Sequence, residues 1–203
     1  MSKACAAMVL MAAVAGGCGG PTAALETQLA KGTPAERAAA ARSLAEMGSK
    51  AAPAVSSLSK ALEDSEADVR KQAAHALGRI GPASAAAISS MKDCLEDGDR
   101  SVRLATAYAI VAIDPGEKAT LPVLGEAARG GDPRACIALG QMGAAAEGAV
   151  PDLVIAASSA QALVRAKAVQ ALRNVGSTNK SAVAALERAR QDSSEEVRNA
   201  ASK

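Results

Sequence analysis

This chain has no tryptophan, no phenylalanine and a single tyrosine, Tyr108. Proteins that hold single strands without sequence preference stack bases on aromatic side chains, so that function is excluded. Lysine and arginine total 23 against 21 aspartate and glutamate, a net charge of +2, and the two signs alternate along the chain instead of forming blocks. The basic stripe of a nucleic-acid binder is therefore missing, and no nucleic-acid partner is expected. His75 is the only histidine, and no cysteine pair has the spacing of metal ligands. No catalytic residue, metal or other cofactor is expected.

What the chain does contain is alanine with leucine, valine and isoleucine, bringing the apolar share to 49% of 203 residues. That is enough to bury a core, and alanine favours both helix formation and close approach of helices. The expected fold class is all-α. A phrase then recurs every 33 residues: Arg37, Arg70 and Arg103 fall at that interval, as do Arg165 and Arg198. Leu44, Leu77 and Ile110 keep the same step, Leu139 follows after 29, and Leu172 after 33 again. Self-similarity at this length marks a stacked architecture, in which one unit cannot bury its apolar face until the next covers it.

Each unit reads as two helices. The first carries the arginine phrase, as in Asp68 to Gly81, where Val69, Ala73, Ala76, Leu77 and Ile80 form one helical stripe. Gly48, Gly81, Gly143 and Gly176 end these helices, with Asp114 and Pro115 in their place in the third unit. Thr33 with Glu36, Ser65 with Asp68, and Ser193 with Glu196 have capping-box spacing at the helix starts. The second helix often begins near proline, at Pro53, Pro122 and Pro151. The fourth unit, opening at Asp132-Pro133-Arg134, is short, so a local change of twist is expected there. Cys94 and Cys136 take apolar positions in the second and fourth repeats, with a whole repeat between them, which predicts buried thiols and no disulfide.

Residues 1–17 are a different kind of sequence. Lys3, a short apolar run from Ala4 to Val14, and Ala15-Gly16-Gly17 describe an export signal, too short to span a bilayer as a helix. Ala15-Gly16-Gly17-Cys18 resembles the lipobox of bacterial lipoproteins. That resemblance implies cleavage before Cys18 and its lipidation, and Gly19 in place of aspartate favours the outer over the inner membrane. The expected domains are a signal over 1–17, a lipidated cysteine and tether over 18–20, and a repeat domain over 21–203. Leu25 and Leu29 precede Arg37 as Leu58 and Leu62 precede Arg70, so Pro21 to Lys31 is expected to be the second helix of a half-unit.

The repeated phrase is similar to the HEAT-like repeats first associated with phycobilisome lyases. This resemblance implies a right-handed α-solenoid of about five helix pairs with terminal half-repeats. It also implies a structural ladder between units, carried here by Arg37, Asp68, Arg70, Arg103, Arg165 and Arg198. The second helices are implied to line the concave side, with Lys60, Glu63, Lys92, Asp93, Glu96, Glu126 and Arg129 making a mixed-charge face. Relatives include deoxyhypusine hydroxylase, whose iron ligands are His-Glu pairs, but His75 is followed by Ala76 and no His-Glu occurs. A second candidate contact surface is the column two residues before each Leu or Ile of the phrase: Arg42, His75, Tyr108 and Gln170, with Ile137 in register. The expected function is a non-catalytic protein-binding scaffold of the cell envelope. The alternative is an accessory binding subunit of an enzyme or lyase complex.

Overall fold

The computed structural model describes residues 20–176 and 178–202. The expected signal over 1–17 and Cys18 lie outside them. Among the described residues the chain forms twelve α-helices and no strand. The first and last are halves of units, α1 (Ala23–Lys31) and α12 (Glu195–Ser202). Between them lie five pairs: α2 (Pro34–Met47) with α3 (Val55–Ala61), α4 (Ala67–Ile80) with α5 (Ile88–Asp93), α6 (Arg100–Ile113) with α7 (Leu121–Arg129), α8 (Pro133–Met142) with α9 (Val150–Ala156), and α10 (Ala162–Val175) with α11 (Lys180–Ala189). The fold is an α-solenoid.

The phrase explains both the helices and their stacking. Leu44, Leu77, Ile110, Leu139 and Leu172 are at most 1% exposed, and Leu58, Met91, Leu124 and Leu153 of the second helices meet them at 0%. Each such side chain contributes about 1.5–3 kcal/mol by leaving water. Cys94 and Cys136 are buried in the same core, and burial pushes both thiols up to about 11. Gly81 closes α4 with φ at 78°, a backbone conformation costly for a residue with a Cβ, and Gly48, Gly143 and Gly176 do the same for their helices. The third unit leaves differently: Asp114 has φ at −141°, and its carboxylate accepts the Gly116 N–H at 2.9 Å.

Helix starts differ from expectation in one informative way. Glu36 reaches back to the Thr33 N–H at 2.8 Å, as a capping box requires. Ser65 and Asp68 form no such box, since Glu66 is the N-cap of α4 and its N–H is taken by Asp64 at 2.9 Å. Before α12, likewise, Asp192 accepts the Ser194 N–H at 2.8 Å. An aspartate at the end of each preceding turn has taken over the capping role.

The two layers are unequally spaced. Helices α2, α4 and α6 pack directly side by side, as do α8, α10 and α12, whereas α3 and α5 are kept apart and meet through the 3-10 segment Gly81–Ala87. Small residues permit the close layer: a Cβ on Gly78 would stand 2.8 Å from the Ala109 Cα, and one on Gly140 would stand 3.2 Å from that of Ala171. In a curved stack the closer layer is the inner one. The expectation that second helices line the concave side is therefore overturned; the phrase-bearing helices do so. At the fourth unit the packing changes: α6 and α8 barely touch while α7 and α9 come together.

Candidate binding face

Three arginines set the register of the inner layer. Arg37 donates from Nε and Nη2 to Asp64, both at 2.7 Å. Arg70 does the same to Asp97 at 2.7 and 2.9 Å, and Arg165 to Asp192 at 2.8 and 2.7 Å. In each case Nη1 turns back to carbonyls of its own turn, such as those of Asp64 and Ser65 for Arg70. A guanidinium fork matched to a carboxylate in this way fixes both distance and plane. The carboxylates respond: Arg165, with help from the Ser194 N–H, holds Asp192 down at about 2, and Arg37 and Arg70 lower Asp64 and Asp97.

Asp68 is not part of this ladder. It sits exposed in the first turn of α4, where it pairs with Lys71 at 2.7 Å and lies 4.0 Å from Arg42. The acid must stand at the end of the previous second helix to face the arginine of the unit before, and Asp64 stands there. Arg103 and Arg198 also depart from the expectation. Each binds carbonyls, of Asp97 and Gly98 or of Asp192 and Ser193, without a carboxylate among the described residues. The residue 27 positions after Arg103 is Gly130, so that rung has no acid.

Another contact spans the gap. Tyr108 of α6 donates from its hydroxyl to Asp132, the N-cap of α8, at 2.9 Å. Arg134 lies 5.3 Å from the centre of the Tyr108 ring and pairs with Asp132 at 3.1 Å. Burial and the Asp132 carboxylate push the Tyr108 phenol well above its ordinary range. Burial alone would raise Asp132, but Arg134 and the hydrogen bonds to it outweigh burial and lower it.

Beside this contact a groove of about 560 Å³ runs between α4 and α6. Leu104, Ala105 and Ala112 give its lining an apolar part, Tyr108 lines it too, and Lys71, Arg79 and Arg134 add cations. His75 and Tyr108 of the expected contact column both line it, while Arg42 and Gln170 are exposed on α2 and α10 outside it. Ile137, from the same column, is 43% exposed on α8. Sequence reasoning missed Lys71, Gln72, Arg79, Leu104 and Ala112. Their signal was available, since these positions follow the arginine by one or two, or the Leu by two, and vary from unit to unit.

The residues expected on a concave second-helix face lie on the outer layer instead. Lys60, Glu63, Asp93 and Glu96 are exposed there. Lys92 pairs with Glu117, and Arg129 with Asp152 at 2.7 Å. Glu126 borders a small cleft with Arg100, Arg103 and Val123. These side chains are partly committed to neighbours. Among the described residues no group of three or more His, Cys, Asp or Glu side chains could hold a metal ion. No helix there is long and apolar enough to cross a membrane.

A family model described as HEAT repeats matches residues 22–111 and 132–203. The chain belongs to the HEAT repeat family. The stretch between the two matches, 112–131, holds the altered exit of the third unit and Gly130, where the ladder loses its acid. No curated protein matches this HEAT repeat protein in sequence. Among solved structures, an engineered protein is 24% identical with a TM-score of 0.70, over 89% of this chain and 93% of that one. A designed armadillo repeat protein in complex with the peptide (KR)4 is 22% identical with a TM-score of 0.70, over 88% and 95%. The complex of CpcE and CpcF of phycocyanin lyase from Nostoc sp. PCC7120 is 22% identical with a TM-score of 0.64, over 93% and 77%. These likenesses establish the solenoid fold.

Proposed function

We propose that this HEAT repeat protein is a non-catalytic scaffold that holds a protein or peptide partner on the inner face of its phrase-bearing helices. The observation that carries this reading is the groove between α4 and α6, whose lining combines apolar side chains with polar and cationic ones. Binding sites have this form: apolar area supplies the drive, and a few polar groups fix orientation. The comparisons support it in kind, since one similar solenoid is held in complex with a peptide and another is half of a two-protein complex. Protein immobilised by its C-terminus should retain a host protein reproducibly, and the double variant His75→Glu, Ala112→Glu should release it. Retention of no protein, or retention unaffected by the double variant, would contradict the proposal.

We further propose a location in the cell envelope. Residues 1–17 act as an export signal and Cys18 carries a lipid that tethers the solenoid in the cell envelope, with the outer membrane favoured. The support is the lipobox-like Ala15-Gly16-Gly17-Cys18 and the start of α1 at Ala23, which leaves only a few residues of tether. In a bacterial host, Cys18→Ala should move the protein from the membrane to the soluble fraction and abolish incorporation of labelled palmitate. Unchanged membrane retention would contradict the anchor while leaving the scaffold reading intact.

A further inference from the structure

Charge is nearly balanced over the whole chain, yet it is not balanced at the groove. Twelve residues line it, and among them Lys71, Arg79 and Arg134 are cations while none is a carboxylate. Two of these cations are already answered from outside the groove, Lys71 by Asp68 at 2.7 Å and Arg134 by Asp132 at 3.1 Å. Arg79 is exposed and has no ion-pair partner among the described residues. It stands one turn beyond His75 on α4, facing the same groove.

The apolar part of the lining is equally distinctive. At the positions where α4 presents Lys71, Gln72, His75 and Arg79, α6 presents Leu104, Ala105, Tyr108 and Ala112. The third unit thus replaces a polar set with an apolar one on the same face. Ile137, in the same column on α8, is also exposed. A groove of about 560 Å³ accommodates a few side chains, on the scale of a peptide anchor or small ligand.

We infer that the α4–α6 groove binds an acidic peptide segment, with an apolar side chain of the segment seated on Leu104, Ala105 and Ala112 and a neighbouring carboxylate paired with Arg79. The inference rests on the scaffold reading and names the chemistry of its partner. Charge complementarity favours an acidic occupant: Lys71 and Arg134 are answered by Asp68 and Asp132, whereas Arg79 lacks a carboxylate, its forked guanidinium suits one, and a basic segment would add a like charge beside it. His75 and Gln72 supply further hydrogen-bonding groups in the same lining.

The test is selection of a random-peptide phage library on the intact immobilised protein, followed by affinity measurement of the enriched peptides. The enriched sequences should carry aspartate or glutamate within a few residues of a leucine, isoleucine or aromatic residue. Arg79→Glu and Ala112→Glu, both at exposed positions, should each weaken these peptides at least about tenfold while leaving the thermal melt in place. Enriched peptides that are basic, or that bind both variants as tightly as the parent, overturn this inference and leave the scaffold reading standing. Failure to enrich any peptide counts against both. Phosphatidylglycerol vesicles and a single-stranded oligonucleotide serve as further probes. Binding of either in place of peptides, lost in Arg79→Glu, would overturn the acidic-peptide assignment.

Discussion

Arg70 and Asp97 stand 27 residues apart and meet through two parallel hydrogen bonds of 2.7 and 2.9 Å, the same separation and fork that join Arg37 to Asp64 and Arg165 to Asp192. The Arg70 and Asp97 side chains are 19% and 9% exposed, so the pair is shielded from most of the water that would weaken it. Removing one partner leaves the other charge poorly solvated. Asp97→Ala is expected to destabilise the protein by about 2–3 kcal/mol and to lower its melting temperature by about 5–10 °C. Asp68→Ala, at an exposed pair in the same helix, should change it by less than about 0.5 kcal/mol. Thermal unfolding of the two variants side by side checks the assignment.

Acid should act through the same rungs. Asp64, Asp97 and Asp192 titrate below their ordinary value of 3.8 in the folded chain, Asp192 at about 2, because guanidinium groups and N–H groups hold them ionised. The unfolded chain therefore binds more protons than the folded one as pH falls from about 5 towards 2. The stability from these rungs is fully present above the unfolded value and is lost as pH drops through the folded values. Melting temperature should be flat from neutral pH to about 5 and decline below 4, and Asp192→Asn should shrink that decline.

At the interrupted rung, the missing acid can be restored. Gly130 has φ at −71°, which any residue adopts, and a Cβ there would meet nothing closer than 3.4 Å. Gly130→Asp places a carboxylate 27 residues after Arg103, in the register of the other rungs. It should raise stability by about 0.5–1.5 kcal/mol, and no gain on thermal unfolding would show that the altered turn keeps residue 130 out of reach.

Tyr108 tests the contact that spans the same gap. Tyr108→Phe keeps the ring beneath Arg134 and removes the hydrogen bond to Asp132. A cost of about 1–2 kcal/mol is expected. It should appear mainly as faster amide exchange in α8, which has little other contact with α6. Uniform exchange across all units would mean that the bond does not hold this junction.

Much of this fold was legible in the chain because leucine and arginine repeat in a fixed register and each has one physical reason to do so. Leu44 and its successors must be buried, and Arg37 and its successors must bridge units. The acidic partner was less legible. Asp64 and Asp97 also lie 33 residues apart, but Asp68 was closer to the arginine and mimicked a capping box. The inner face was misassigned for a different reason: curvature depends on how near helices approach, which is decided by Gly78 against Ala109 and Gly140 against Ala171. His75 and Tyr108 could be read as a column, whereas the groove beside them depends on Leu104 and Ala112 replacing polar residues of the preceding unit. The missing rung was visible as Gly130, although its consequence depends on the altered turn after Asp114.

Partners should meet the inner, phrase-bearing layer and not the outer one. Site-specific photocrosslinking in the native host decides between the two layers, with a benzophenone amino acid placed at His75 or Ala112 on the inner face, and at Lys60 or Asp93 on the outer. Discrete protein adducts from His75 and Ala112, with none from Lys60 and Asp93, are the expected result. Adducts from Lys60 and Asp93 alone would contradict it.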